Sequence, residues 1–578
     1  MRKTNVLSLA VTGLIALPAA AQLVPPATLP SLDAIAAGDG AAASQMLSAQ
    51  ESLALKELRF TGNTAFTRDQ LLNASLDLGV PGAPVDPNAK KVRDLIGTDV
   101  TLEQLEQARV AVTLLYVNAG YINSGAVLDD QPVSDGAVVL RVIEGKLTDI
   151  NLSGNKRLRD IYLKPRIKAA GGPPLKLQDL RDQLELLRQN PNIEQVNAEL
   201  RPGAELGESA LDVRVSEQST FELGLIFDNH RSPSVGAERV SAYVAHGNLL
   251  GFSDSFRAQV ALTDGGFDEF DVIGGNNGGD PFGSWPEIFV DYTIPITPYD
   301  TTLTFSYQKT DSTVFEEQFA ELNIQSDLES YGLTVRQPIY RTPASEFALF
   351  GTLNVKRNET FLLGEPFSFS PGAQDGESYS TVFRFGQEYF YRDVNQAVAL
   401  RSSFTFGLDA FGSTINSGDT ADSQFFAWLG QAQYVRRLNN KGWQGVARVA
   451  MQFTPDSLLA IEQFSVGGVD TVRGYRENTF VRDNGIAASL ELRVPIYSNT
   501  AKQIDVQLVP FIDAGYAYNH DDTPDFEVLT SVGVGITANY TKHFSGQLFF
   551  GQELNDVDDQ SDDLQDYGIH FQVVARLF

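Results

Sequence analysis

The fold is decided by a stretch near the C-terminal end of the chain, residues 486–496, which reads Ile-Ala-Ala-Ser-Leu-Glu-Leu-Arg-Val-Pro-Ile. Its even-numbered positions form an apolar row: Ile486, Ala488, Leu490, Leu492, Val494 and Ile496. The odd-numbered positions form a more polar row: Ala487, Ser489, Glu491 and Arg493. A period of two residues predicts a β-strand, because successive side chains of a strand point to opposite faces. This strand therefore has one apolar face and one polar face.

The same alternation recurs along the chain, for example in residues 302–308, 445–453 and 506–518. About sixteen such segments lie between residue 218 and residue 578, an even number as bacterial β-barrels require. Their connections alternate in length. Long polar loops at 265–286, 312–326 and 454–484 lie between tight links, which are 248–253, 297–300, 341–345, 393–396, 439–442, 498–502 and 541–544.

Short turns at one rim and long loops at the other are typical of a transmembrane β-barrel. A soluble β-sandwich is the alternative, but it would bury the apolar rows and would not require connections that alternate so regularly. We therefore predict that residues 218–578 form an all-β transmembrane barrel of about sixteen antiparallel strands.

The composition agrees with a barrel and excludes several other classes. The 578 residues include 44 Lys and Arg and 73 Asp and Glu, for a net charge of −29, which disfavours nucleic acid as a partner. The absence of cysteine excludes disulfide scaffolds, thiolate metal sites and cysteine nucleophiles. Aromatic residues make up 10% and glycines number 49, as expected of strands that face both lipid and water.

The first 21 residues have the pattern of a cleaved signal peptide. Arg2 and Lys3 precede an apolar run over residues 6–17, and three alanines come before Gln22. Residues 22–54 read as a linker with a possible short plug helix around 41–50. Beyond residue 21 no apolar stretch approaches the roughly 20 residues that a membrane-spanning helix needs, so insertion would have to use strands.

The region between linker and barrel has a mixed α/β pattern that repeats. The first copy, residues 55–145, contains a predicted strand at 55–60, a helix at 101–118 and strands at 126–130 and 137–143. The helix has Leu102, Leu105, Ala108, Val112 and Leu115 on one face, with Thr101 and Gln104 as a capping box. The second copy, residues 146–217, repeats this order. We predict two α+β units of the β-α-α-β-β type.

Several motifs now make a family resemblance visible. They are Leu58-Arg59-Phe60-Thr61-Gly62-Asn63-Thr64, Val142-Ile143-Glu144-Gly145, Leu200-Arg201-Pro202-Gly203, Asp228-Asn229 and Gly247-Asn248-Leu249-Leu250-Gly251. The chain resembles the outer-membrane transporters of two-partner secretion, the TpsB family of haemolysin secretion/activation proteins, in the Omp85 superfamily. The resemblance extends from about residue 55 to residue 578. It implies that residues 55–145 and 146–217 are POTRA domains.

The most specific resemblance lies in the long loop 454–484. Phe464-Ser465-Val466-Gly467-Gly468 is followed by Val472-Arg473-Gly474-Tyr475. In the superfamily this loop folds into the lumen, and its arginine pairs with an aspartate of an F-x-D motif on the barrel wall. The resemblance assigns that motif to Phe511, Asp513 and Gly515. The alternation agrees, because Asp513 falls in the row opposite the apolar residues Val506, Leu508, Ile512 and Ala514.

Three further residues complete the expected site. Glu491 and Arg493 are expected to be other charges that face the lumen. Phe578 is expected to act as a C-terminal assembly signal, although Arg576 replaces the usual apolar residue two places before it. We expect no catalytic residues, no metal and no cofactor, since the histidines are scattered and the acidic runs lack calcium-loop spacing. An outer-membrane barrel enzyme remains an alternative, although the sequence shows no set of catalytic residues for it.

The resemblance implies a function. The POTRA domains, in the periplasm, would capture an unfolded secreted partner of the adhesin or haemolysin class, and the barrel would export it across the Gram-negative outer membrane. The other expected partners are outer-membrane lipid, lipopolysaccharide and the barrel-assembly machinery, with no nucleic acid. The main alternative is an Omp85-type assembly factor for outer-membrane proteins. A diffusion porin is a third interpretation, but it would not need periplasmic domains.

Overall fold

The computed structural model describes residues 52–77, 89–129, 131, 135–263, 287–314, 322, 324–520, 527–557 and 563–577. These residues divide into two compact units, with the division between residues 218 and 219. The predicted signal peptide at 1–21, nearly all of the linker at 22–54 with its possible plug helix, and Phe578 lie outside the described residues.

The first half of the N-terminal unit is a small sheet with two helices. Its elements are β1 (Leu53–Ala54), β2 (Glu57–Thr61), α1 (Arg68–Leu72), β3 (Asp99–Val100), α2 (Leu102–Asn118), β4 (Gly125–Val127) and β5 (Ala137–Ile143). β5 is the central strand, parallel to β2 and antiparallel to β4. β4 is shorter than the predicted strand at 126–130.

Helix α2 begins where the sequence predicts, with Thr101 and Gln104 forming the capping box. Its buried face differs from the prediction, since Leu102 is only partly buried and Ala111 is buried. Tyr116 is completely buried, whereas Leu115 is only partly buried against the same core. The reason is that the Tyr116 hydroxyl has a partner inside the unit, since it donates a 2.8 Å hydrogen bond to Glu144.

The second half repeats this arrangement with β6 (Lys146–Ser153), α3 (Asp160–Ala169), α4 (Leu177–Arg188), β7 (Ile193–Pro202) and β8 (Glu208–Glu217). β8 is central, parallel to β6 and antiparallel to β7. No helix in the described part of the chain is long and apolar enough to cross a membrane.

Both halves use a carboxylate to brace the loop that follows their first long strand. In the first half, Glu144 accepts hydrogen bonds from the backbone N–H of Thr64 (2.6 Å) and of Ala65 (2.7 Å). In the second half, Glu217 accepts from the backbone N–H groups of three successive residues at 2.8–2.9 Å, namely Lys156, Arg157 and Leu158. The predicted duplication is thus visible in side-chain contacts as well as in element order.

The C-terminal unit is a closed antiparallel barrel of sixteen strands within the described residues, as predicted. Its strands are β9 (Phe221–Asp228), β10 (Arg239–His246), β11 (Ser255–Thr263), β12 (Glu287–Pro295), β13 (Thr302–Thr313), β14 (Gln325–Arg341), β15 (Ser345–Leu362), β17 (Glu377–Arg392), β18 (Gln396–Leu408), β19 (Phe426–Arg437), β20 (Gln444–Phe453), β23 (Asn484–Asn499), β24 (Ile504–Tyr518), β25 (Glu527–Tyr540), β26 (Phe544–Glu553) and β27 (Ile569–Arg576). β27 pairs with β9 and closes the barrel. A two-residue strand, β16 (Glu365–Pro366), pairs only with the end of β15.

The alternation that predicted the strands also sets their two faces. In β23, Leu490 and Ile496 of the apolar row are 58% and 55% exposed, as expected of side chains that face lipid. Ser489, Glu491 and Arg493 of the other row are buried. All seven predicted tight links connect neighbouring barrel strands.

Candidate lumen loop site

The segment between β20 and β23, residues 454–484, forms a folded loop that lies against the inner face of the barrel. We call it the lumen loop. It contains a 3-10 turn (Ala460–Glu462) and a hairpin of β21 (Phe464–Val466) and β22 (Phe480–Arg482). Its apolar residues Phe464, Val466, Val472 and Tyr475 pack against the barrel-wall residues Ala487, Ala517 and Leu529.

Arg473 is the centre of the contact between the lumen loop and the wall. Its side chain is 1% exposed and donates from Nε to Asp513 Oδ2 (2.7 Å) and from Nη2 to Asp513 Oδ1 (2.8 Å). The Arg473 backbone N–H also donates to Asp513 Oδ2 at 3.1 Å. A two-pronged arginine–carboxylate pair fixes orientation as well as distance. Asp513, on β24, therefore determines where the tip of the loop sits.

A second wall carboxylate shares the same guanidinium. Arg473 Nη1 donates to Glu491 Oε1 at 2.8 Å, and Nη2 donates to Ser489 Oγ at 2.9 Å. Glu491 also pairs with Arg493 at 2.9 Å and with Arg448 on β20. Each buried charge in the cluster thus faces an opposite charge, which is the condition for keeping ions in a site from which water is largely excluded.

Two aromatic rings flank the guanidinium. Arg473 Cζ lies 3.6 Å from the centroid of the Phe511 ring and 4.9 Å from that of the Phe549 ring. Cation–π contacts of this kind add attraction when the cation is desolvated. Phe511 of the F-x-D motif therefore contacts the arginine through its ring while Asp513 contacts it through its carboxylate.

Two glycines allow the loop and the wall to approach closely. A Cβ at Gly515 would lie 2.3 Å from Val466 Cγ1 and 2.7 Å from Val472 Cγ2. Gly474 has φ +99° and would place a Cβ 3.0 Å from the Gly551 carbonyl carbon on β26. Any other residue at these two positions would push the loop away from the wall.

Tyr475 and Arg476 connect the loop tip to neighbouring strands. The Tyr475 hydroxyl lies 2.9 Å from the carbonyl oxygens of Thr530 and Asn555, and accepts from the Asn555 backbone N–H at 3.2 Å. Arg476 Nη2 donates to Asp566 Oδ2 at 2.9 Å. The tip is therefore held from β24 round to the segment before β27.

The structure brings together nine of the ten residues that the sequence singled out: Val472, Arg473, Gly474, Tyr475, Phe511, Asp513, Gly515, Glu491 and Arg493. The tenth, Phe578, lies outside the described residues. Among the described residues, no group of three or more histidines or carboxylates is placed to hold a metal ion.

Sequence reasoning missed several residues of the site, among them Arg448, Ser489, Phe549, Glu462 and the Arg476–Asp566 pair. Arg448 and Ser489 lie in the polar rows of the strands predicted at 445–453 and 486–496. Their position in an inward-facing row is the sequence signal that identifies them. Glu462 lies two residues before the quoted Phe464 motif and forms a contact of its own, described below.

A closed sixteen-strand barrel with a charged lumen loop, preceded by two POTRA-like α/β units, defines an outer-membrane transporter barrel. The family model described as "Haemolysin secretion/activation protein ShlB/FhaC/HecB" matches residues 207–538, more than half of the chain. The model described as "POTRA domain, ShlB-type" matches residues 79–145. The chain belongs to the haemolysin secretion/activation protein family, whose place is the outer membrane with POTRA domains in the periplasm.

Individual relatives agree. "Outer membrane transporter CdiB" of Dickeya dadantii is 24% identical over 446 residues, which cover 75% of this chain and 74% of the relative. "Heme/hemopexin transporter protein HuxB" of Haemophilus influenzae is 21% identical, covering 82% of each chain. The solved structure "CdiB from Escherichia coli" superposes with a TM-score of 0.69 at 20% identity, covering 93% of this chain and 92% of that one, and shares its fold.

Proposed function

We propose that this chain exports one large secreted partner protein, which its POTRA domains capture unfolded and its barrel conducts across the outer membrane. The observation that carries the proposal is the lumen loop, which is held against the barrel wall by buried ion pairs around Arg473. A loop held by a small number of discrete polar contacts can be docked or released as a unit, which is what a conduit for a polypeptide requires. The relatives named above are transporters, which supports the same conclusion.

Capture would use the edges of the two POTRA-like sheets. β2 and β4 are the edge strands of the first sheet, and β6 and β7 are those of the second. An extended polypeptide can add to an exposed strand edge through backbone hydrogen bonds, which demand little of its sequence. This mode suits a partner that is still unfolded, and an adhesin or haemolysin is the class of partner that the family implies. No bond is made or broken in the partner, so the proposal needs no catalytic centre.

The barrel exterior would supply the remaining contacts. The outward rows, such as Leu490 and Ile496 on β23, would contact outer-membrane lipid, and the polar outer loops would contact lipopolysaccharide. During biogenesis, the barrel-assembly machinery would recognise the last strand, β27, together with Phe578. Folding of the partner outside the cell would give export its direction.

The proposal is tested by deleting the gene in its host and restoring it on a plasmid. We expect one large protein to disappear from the culture supernatant and return on complementation, while the other outer-membrane barrels keep their normal levels. A general loss of outer-membrane barrels would instead indicate an assembly factor. An unchanged supernatant together with an unchanged membrane profile would contradict export.

A further inference from the structure

The lumen loop has a second attachment, far from Arg473 along the barrel wall. Glu462, in the 3-10 turn of the loop, has a side chain that is 4% exposed. Its Oε1 lies 3.1 Å from Lys356 Nζ on β15, and its Oε2 lies 2.6 Å from Arg384 Nη2 on β17. Ser380 Oγ donates to Glu462 Oε1 at 3.0 Å. The carboxylate is thus bound by three wall residues on two adjacent strands.

The contact is built on both sides. Lys356 Nζ also donates to the Ile461 carbonyl oxygen at 2.8 Å, so it holds the backbone of the turn as well as the side chain. Arg384 Nη1 donates to Asn354 Oδ1 at 2.7 Å, which orients the guanidinium toward Glu462. Leu458, just before the turn, packs with the wall residues Val382, Phe425 and Ala427. We call residues 454–462 the first limb of the loop. This limb is attached to inward-facing residues of β15 and β17.

The two attachments lie on separate parts of the wall. Arg473 binds β23 and β24, whereas Glu462 binds β15 and β17. In the order of strands around the barrel, β18, β19 and β20 lie between these two sites. The segment from Glu462 to Arg473 therefore connects two ion-paired parts of the wall that are separated by three strands, and Gln452 on β20 also donates to the Glu462 carbonyl oxygen at 3.1 Å. Releasing one end does not by itself release the other.

We propose that Glu462 is a positioning residue that holds the first limb of the lumen loop on β15 and β17, so that the passage opens fully only when this second attachment also releases. The secretion readout of this inference rests on the proposed export function, whereas its structural and conductance readouts do not. The polypeptide that would cross the opened passage is the unfolded partner of the proposed export function.

The charge balance explains why a glutamate serves here. Lys356 and Arg384 are two cations that share the Glu462 carboxylate, so a neutral residue at position 462 removes the anion that both of them contact on the partly buried wall. Glu462→Gln keeps the size of the side chain and removes the charge. Loss of charge-assisted hydrogen bonds of this kind shifts a docked–released equilibrium about ten- to a hundredfold.

The absence of cysteine in the chain permits clean site-directed labelling. A spin label at Ala460→Cys reports on the first limb, and one at Asn478→Cys reports on the hairpin. We expect Glu462→Gln and Lys356→Met each to mobilise the label at 460 and leave the label at 478 unchanged, in detergent-purified and reconstituted protein. Because both substitutions break the Lys356–Glu462 pair, the effect of the double variant should be smaller than the sum of the two single effects, although Lys356→Met also removes the bond to the Ile461 carbonyl oxygen. Glu359→Gln, an outward-row residue of β15, is the matched control and should change neither label.

Single-channel recording in planar bilayers provides the second readout, with an expected increase in open probability of about ten- to a hundredfold for Glu462→Gln. An unchanged label at 460, additive effects of the two substitutions, or an unchanged open probability would overturn the proposal. Heat-modifiable migration in gels verifies that each barrel is folded, and Arg384→Gln replaces any variant that is not. If the labels and currents respond as expected but gene deletion removes nothing from the supernatant, the proposed export function fails while the role of Glu462 in the loop stands.

Discussion

Arg473→Ala should release the tip of the lumen loop without unfolding the barrel. The substitution removes the four side-chain hydrogen bonds of Arg473, two to Asp513, one to Glu491 and one to Ser489. Glu491 keeps Arg448 and Arg493, so the loss falls mainly on Asp513, which is 1% exposed. Breaking a buried pair by removing one partner costs about 3–5 kcal/mol.

This cost predicts a measurable change in the loop equilibrium. Since about 1.4 kcal/mol corresponds to a factor of ten, the ratio of released to docked loop should rise by about two to three and a half orders of magnitude. A single cysteine at Val469, which packs with Phe511 and Phe549 near the tip, would report this ratio through its rate of reaction with a water-soluble maleimide. Secretion of the partner should fall because the loop is no longer correctly positioned.

The controls separate the ion pair from a general weakening. Arg437→Ala, at an exposed position on β19, should leave the labelling rate unchanged. Asp513→Ala added to Arg473→Ala should recover part of the lost docking, because no unpaired carboxylate then remains. A labelling rate for Arg473→Ala equal to that of the parent, at normal surface levels, would refute the reasoning.

Two further substitutions test other parts of the structure. Gly515→Ala should raise the labelling rate at position 469 more than tenfold, because the added carbon would overlap Val466 and Val472, while Gly546→Ala, whose nearest neighbour would be 3.7 Å away, should have little effect; equal rates would contradict the close-approach argument. Burial raises the pKa of Glu144, but hydrogen bonds from Ala65 and Thr64 outweigh it and hold the pKa below its ordinary value of 4.5. Its contribution is therefore present above about pH 4.5 and is lost as the pH falls through the lowered pKa. Glu144→Gln should lower the free energy of unfolding of the α/β units by about 1–3 kcal/mol at pH 7, as measured by urea denaturation with circular dichroism at 222 nm. The difference between the variant and the parent should shrink in acid. A difference that persists at pH 3 would argue against the role of the Glu144 carboxylate.

The barrel was predictable because a strand with one face toward lipid and one toward water must alternate with a period of two. The same alternation predicts that Asp513 and Glu491 lie on the inner face. The partners of Glu462 were not predictable in this way. Lys356 and Arg384 precede Glu462 by 106 and 78 residues in the sequence. Only closure of the barrel brings their strands to the loop.

Helical detail was predictable where local signals were strong. The capping box at Thr101 fixed the start of α2, whereas the choice between Leu115 and Tyr116 as the buried residue depended on a tertiary partner, Glu144. Helix α1 has only five residues, too few for a periodic pattern to identify it. Contacts between distant segments, rather than local propensity, account for most of what the sequence left open.

The paired braces formed by Glu144 and Glu217 have an evolutionary consequence. In each α/β unit the carboxylate lies at or directly after the end of that unit's own last strand and secures that unit's own loop. A duplicated gene segment would thus carry its stabilising contact with it and need no compensating change elsewhere. Such self-sufficiency makes the unit a module that can be copied in tandem, and the two copies could afterwards diverge in surface residues while retaining the same internal support.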